Sequence, residues 1–227
     1  MKYTWRTELP ALALVALSIG IAAWGWGHVP DPLPVHWDLS GQPNRWGGRG
    51  EALLLPAGIA MVLFLAFRVI PFLDPGRANY EKFAGPFFTL RLVIIALMVA
   101  VQGLAIASAR GQQTSGEWVL AAVGIVLIVI GNLLGKLRPN WFMGIRTPWT
   151  LSSKLAWSKT HRAGGWVFVA GGVLFLAAGA VARPWATMTA AIVIGAGVLG
   201  LVVYSYMVWR DDPDRVPPAG TLPANGT

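Results

Sequence analysis

Two stretches of the chain concentrate side chains that can do chemistry. In the first, His28, Asp31, His36 and Asp38 lie near one another in a Pro- and Gly-rich run. Imidazole and carboxylate together suit a divalent metal such as Zn²⁺. Their spacing matches no metal-site pattern, so they read as interface and turn residues, and no metal is expected. In the second, residues 136–162, six of the eighteen Lys and Arg gather with three Trp, two Pro and one of three His. That mixture suits a membrane surface or an anionic partner. His161 there lacks a carboxylate to orient it and stands among cations, which makes it a poor general base. With no nucleophile–base pair or phosphate loop in either stretch, the chain reads as no enzyme and no cofactor is expected. The absence of Cys excludes disulfides, thiol catalysis and thiolate metal sites.

The elements that hold these stretches are apolar. Of 227 residues, 55% are hydrophobic and 12% charged, where a soluble domain carries about 25% charged. Apolar runs long enough to cross a bilayer occupy 9–27, 52–73, 87–108, 117–135, 163–182 and 186–209. The fold class is therefore all-α: a polytopic membrane protein, a bundle of six transmembrane helices. The first run is too long for a signal peptide and lacks a small-residue cleavage site, so it is expected to be retained. The loop 28–51 is too rich in Pro and Gly for a long helix; residues 33–38 suit a short extended piece and 39–45 turns. Gly164–Gly165, Gly171–Gly172, Gly195 and Gly197 mark faces for close helix approach.

Polar groups within the spans are few. Gln102 and Asn132 need partners, Gln102 on another helix, and Arg68 and Arg91 are expected to snorkel outward. Apart from Glu117, which only begins a run, no Asp or Glu falls within one, which argues against an ion-coupled pump. Six spans put both termini on one side. Lys2, Arg6, Arg77, Lys82, the six cations of 136–162, Arg210 and Arg215 then share that side; Arg45, Arg49, Arg110 and Arg183 face the other. That bias places the termini and the basic loop in the cytoplasm. The net charge of +8 is thereby anchoring charge, and direct nucleic-acid binding is not expected. Within the basic loop, Thr150 could cap an amphipathic helix over 151–162 that lies on the inner leaflet, with Trp157 and His161 on one face. Residues 210–227 read as a disordered tail.

The run Gly131-Asn-Leu-Leu-Gly-Lys-Leu-Arg-Pro-Asn-Trp-Phe-Met-Gly-Ile-Arg-Thr-Pro-Trp-Thr-Leu, followed by Trp157-Ser-Lys-Thr-His-Arg-Ala-Gly-Gly, resembles the SdpI family of bacterial membrane proteins. The outer-loop run Leu33-Pro-Val-His-Trp-Asp-Leu-Ser-Gly-Gln-Pro-Asn resembles the domain of unknown function that often precedes it. Together these cover residues 9–205. The resemblance implies a plasma-membrane protein with an N-terminal membrane half, 1–116, and an SdpI-like half, 117–209. It also implies immunity to a secreted antimicrobial peptide toxin, and signalling by holding a cytoplasmic transcriptional regulator at the membrane.

On that reading a peptide toxin meets the outer loop, at Pro34, His36, Trp37 and Gly41. The regulator meets the basic loop, at Asn140, Gly144, Arg146, Thr147, Pro148, Trp149, Trp157, Thr160, His161 and Arg162. Arg and Trp side by side are the residue types that anchor interfaces. The alternative is a membrane enzyme or transporter for a lipid or small solute, with membrane lipids as partners. It predicts a cavity between spans near Arg146 and Arg162. A third possibility is a structural subunit whose loop only docks a partner.

Overall fold

The computed structural model describes residues 1–39, 42–111 and 117–216. Among the described residues, six helices are long and apolar enough to cross a membrane, so the chain is a multi-pass helical membrane protein. Helix α1 spans Trp5–His28. An antiparallel hairpin follows, β1 (Leu33–Trp37) on β2 (Pro43–Gly47), with Leu33 opposite Gly47. The expected extended piece is β1; the stretch expected to turn also supplies the start of β2. A π-helical turn over Gly50–Leu54 leads into α2, Leu55–Leu73. A 3₁₀ segment, Arg77–Phe83, leads into α3, Ala84–Ala109. Then come α4 (Glu117–Leu134), the short α5 (Pro148–Leu151), α6 (Lys154–Val181) and α7 (Pro184–Arg210).

Helices α1, α2 and α3 pack on one another, α3 packs against α4, and α6 packs against both α4 and α7. One end of the bundle carries the chain start, the 74–83 and 135–153 connections, and the residues after α7. The opposite end carries the hairpin. At the first end, hereafter the basic end, Phe67, Tyr80, Phe83, Phe87, Leu134, Leu137, Met143 and Trp157 form a joint core. At the hairpin end, Leu33 sinks among Ala22, Ala52, Leu53 and Ile106.

The α4–α6 seam is built on glycine. A Cβ on Gly131 would lie 2.7 Å from the Gly165 carbonyl oxygen, and one on Gly124 would lie 2.8 Å from that of Gly172. Backbone thus meets backbone, which removes lipid from the seam and maximises dispersion contact. Gly164 and Gly171 face Ile145 and Ile194, and Gly197 faces Val167. Gly195 differs from expectation: nothing lies within 4 Å of its Cβ position.

Three further expectations change. The amphipathic surface helix over 151–162 and the span over 163–182 are one helix, α6, whose N-cap is Ser153 rather than Thr150. The Ser153 hydroxyl accepts the Ala156 N–H at 2.8 Å. Lys154, Lys159 and Arg162 occupy the exposed side of the first turns, while Ala156, Trp157, Thr160, His161 and Gly164 face inward. The charge that suggested a surface helix is one stripe of a buried one.

Arg91 does not snorkel. It is 1% exposed and donates from Nη2 to Glu8 Oε1 at 2.8 Å. Glu8, expected ahead of the first span, lies inside α1 and also accepts from Arg68 Nη1 at 2.8 Å. A charged residue does therefore sit in the first helix. Its local sequence looks terminal only because its two counter-ions are remote in the chain. Gln102 has the interhelical partners it needs: Ser18 donates to its Oε1 at 2.6 Å, and its Nε2 donates to the Leu53 carbonyl at 2.8 Å. Asn132 instead donates to Ile128 of its own helix.

The chain after α7 departs from the disorder expected of 210–227 over its first residues. Arg210 ends the helix, and Asp212 is 3% exposed. The Val216 N–H donates to the Ser152 carbonyl at 2.9 Å. Two partners in the α5–α6 connection, invisible to composition, hold this stretch. Residues 217–227 lie outside the described residues.

Candidate functional site

The connection between α4 and α6 is folded by its own side chains. Asn140 is buried, accepts the Phe142 and Met143 N–H groups at 3.0 and 2.7 Å, and donates to the carbonyls of Arg138 and Met143. Gly144 then takes φ +103°, where an L side chain is strained, and its missing Cβ leaves room for the His161 ring. The Ile145 N–H donates to His161 Nε2 at 3.0 Å. That nitrogen therefore carries no proton, and the ring is the neutral tautomer with its proton on Nδ1, which donates to the Trp157 carbonyl at 2.8 Å. Trp157 stacks on His161 at 4.0 Å between centroids and donates from Nε1 to the Leu137 carbonyl. With both ring nitrogens committed and the ring 1% exposed, His161 braces the loop.

Thr147 caps α5 by accepting the Thr150 N–H at 3.1 Å, and its hydroxyl lies 3.0 Å from that of Ser205 on α7. Pro148 takes the first position of α5. Trp149 packs edge-on against Tyr206, with centroids 5.3 Å apart. Thr160 is wholly buried, and its hydroxyl has no hydrogen-bond partner among the described residues. Arg146 and Arg162 are exposed, Arg146 donating to the Trp141 carbonyl at 2.7 Å. The residues singled out in the loop thus divide. Asn140, Gly144, Thr147, Thr160, Trp157 and His161 build it, whereas Arg146, Pro148, Trp149 and Arg162 are what it presents.

Two carboxylates that the sequence reading passed over tie this end together. Asp74 is 1% exposed; its Oδ2 accepts from Tyr80 Oη at 2.6 Å and from the Trp141 N–H at 3.0 Å, and its Oδ1 from the Gly76 N–H. Asn79 adds a bond to the Pro139 carbonyl. Asp212 accepts from the Ser153 hydroxyl and from the Asp214 N–H. The only local signal for Asp74 was Asp-Pro-Gly, a turn sequence, which conceals a partner 67 residues away.

A cleft of about 1200 Å³ opens at this end, lined by Lys82, Arg138, Lys154, Asp212 and Asp214 among others. Arg146 and Arg162, beside which lipid or solute handling predicted an opening, do not line this cleft.

At the hairpin end Pro34 is buried, Trp37 half-buried and His36 exposed. Gly41 lies outside the described residues. Pro34 and Trp37 face a groove of about 260 Å³ whose other walls include Arg45, Glu51, Leu55 and Met98. Arg45 and Glu51 pair at 2.6 Å, which holds the guanidinium above its ordinary pKa. The imidazoles turn to separate partners, His28 to the Trp24 carbonyl and His36 to Asn44 Oδ1. Among the described residues no group of three or more His, Asp or Glu could hold a metal.

One prediction follows from the brace. His161→Phe keeps an aromatic ring but strands the Ile145 N–H, and is expected to cost about 1–3 kcal/mol. Hydrogen exchange at the Ile145 amide would read it; protection equal to that of the parent would show that His161 does not hold the loop.

Residues 136–206 match the SdpI/YfhL protein family, and residues 13–60 match a domain of unknown function, DUF1648. The chain is 21% identical to the Immunity protein SdpI of Bacillus subtilis (strain 168) over 170 residues, which are 74% of this chain and 79% of that one. No solved structure matches. The first of these segments contains the α4–α6 connection from Lys136 onward with α5, α6 and most of α7, and the second contains most of α1, the hairpin and the start of α2; the chain thus carries a segment similar to the SdpI family, with one similar to DUF1648 ahead of it.

Proposed function

We propose that this protein gives immunity to a secreted antimicrobial peptide. The observation that carries the reading is the similarity to an immunity protein, which extends over 74% of the chain. The hairpin end is the surface for the peptide. Trp37 and the Arg45–Glu51 pair border an apolar groove there, which suits a peptide carrying both apolar and charged groups. The positive-inside bias supports a hairpin outside and both termini in the cytoplasm. Arg146, Trp149 and Arg162 then form the inward surface that a cytoplasmic regulator would contact. The neighbouring core residues hold that surface in shape, and no enzymatic step is assigned to it.

The test is survival of cells with and without the protein when challenged with membrane-active peptides, including those of neighbouring strains. The parent protein is expected to protect. Trp37→Ala is expected to lose protection at unchanged membrane abundance. Arg146→Ala with Arg162→Ala is expected to keep protection and to lose recruitment of a regulator to the membrane. No protection against any such peptide would overturn the immunity reading. Protection retained by Trp37→Ala would move the contact away from the hairpin.

A further inference from the structure

The cleft at the basic end is not used by the reading above. Its cations come from three separate segments: Lys82 from the 3₁₀ turn before α3, Arg138 from the α4–α6 connection, and Lys154 from the first turn of α6. All three are exposed, and none has an ion-pair partner among the described residues. Three like charges around one opening repel one another unless an anion neutralises them. The N-terminus of α6 adds to the positive field. The Ser153 hydroxyl claims the Ala156 N–H, and no acid stands in the first turn of this 28-residue helix.

Two carboxylates also line the cleft. Asp212 is already committed, accepting at both oxygens from Ser153 and the Asp214 N–H. Asp214 is exposed and opposes an incoming anion. Asp212 keeps its charge while hydrogen-bonded, so two carboxylates stand against three cations and a helix terminus, which leave the opening net positive.

We propose that this cleft binds an anionic phosphate ester. Several cations with backbone N–H groups at a helix start are how proteins hold a compact, multiply charged oxyanion. A space of about 1200 Å³ is larger than a bare phosphate fills, so the ligand carries a further group beyond the phosphate. A phospholipid headgroup and a soluble phosphate ester share that chemistry.

The experiment is native mass spectrometry of the purified full chain in neutral detergent. Phosphatidylglycerol, phosphatidylcholine and glycerol 3-phosphate are titrated separately and in competition. The parent is expected to retain phosphatidylglycerol or glycerol 3-phosphate in preference to phosphatidylcholine. Each of Lys82→Ala, Arg138→Ala and Lys154→Ala is expected to weaken binding roughly five-fold, and the triple variant roughly a hundred-fold. The charge-matched control Arg77→Ala/Lys136→Ala/Lys159→Ala removes exposed cations that do not line the cleft, and is expected to bind as the parent does. Asp214→Asn is expected to bind more tightly. Retention of phosphatidylglycerol that glycerol 3-phosphate does not displace identifies a lipid as the source. Binding of glycerol 3-phosphate without the lipid identifies a soluble ester. No preference in the parent, or equal losses in the cleft variant and its control, would overturn the site. Because no toxin enters the assay, the result is independent of the immunity reading.

Discussion

Gly172→Ala is expected to part α6 from α4 and to cost about 3 kcal/mol, the upper end of ordinary over-packing. A Cβ there would lie 2.5 Å from the Gly124 carbonyl oxygen and 2.9 Å from the Ile128 nitrogen. A side chain in the way can rotate, but these are backbone atoms of a neighbouring helix, and they move only if the helices separate. Separation would loosen the reciprocal contact at Gly131 and Gly165 as well. In the membrane the loss is not offset by hydrophobic burial, because lipid is as apolar as the seam it would replace. Gly195→Ala supplies the comparison. Nothing lies near its Cβ position, so it should gain the helix propensity of alanine, about 1 kcal/mol. Thermal unfolding of both variants in detergent decides the matter: equal midpoints would mean that the glycine seam does not set the packing.

Glu8→Ala carries the second large effect. It leaves Arg91 buried without its carboxylate, and breaking a buried ion pair in this way costs about 3–5 kcal/mol. Arg91 is poorly placed to find a substitute. Its guanidinium lies against the Phe64 and Phe88 rings, its Nε and Nη1 have no partner among the described residues, and it keeps only the Thr7 carbonyl. Arg68, half exposed, can turn to water or headgroups once Glu8 is gone. The double variant Glu8→Leu/Arg91→Met is expected to recover most of the loss, since apolar replacement of a whole buried pair is often neutral or better. Unfolding of the parent, Glu8→Leu, Arg91→Met and the double variant forms a cycle. A double variant no more stable than Glu8→Ala would show that the pair does more than balance charge.

Much of the molecule can be read locally. An apolar run of bilayer length is a helix whatever its neighbours are, because an unpaired backbone in lipid is too costly to tolerate. The six spans were therefore legible, with ends displaced by a few residues, and α6 began earlier because Ser153 could cap it. Gly171–Gly172 marked a packing face, since closely spaced glycine in a span has little other use. The similarity to the SdpI family was legible from the ordered run through Gly144-Ile-Arg-Thr-Pro-Trp149.

What each residue of that run does was not legible. His161, Trp157 and Asn140 looked like a surface that meets a partner, and they are the internal frame of the loop. Composition records that a histidine lies near cations; it does not record that the Ile145 N–H points at its ring. Glu8, Arg91, Asp74 and Asp212 were misplaced or passed over for the same reason. Their partners lie on other segments, from 59 residues away for Asp212 and Ser153 to 83 for Glu8 and Arg91. Sequence by itself determined the helices, their number and the family resemblance, because those follow from local hydropathy and ordered motifs. Tertiary structure alone decided which charges are buried in pairs, which side of α6 faces inward and where an open cleft collects unpaired cations. Those depend on which remote segments the packing brings together.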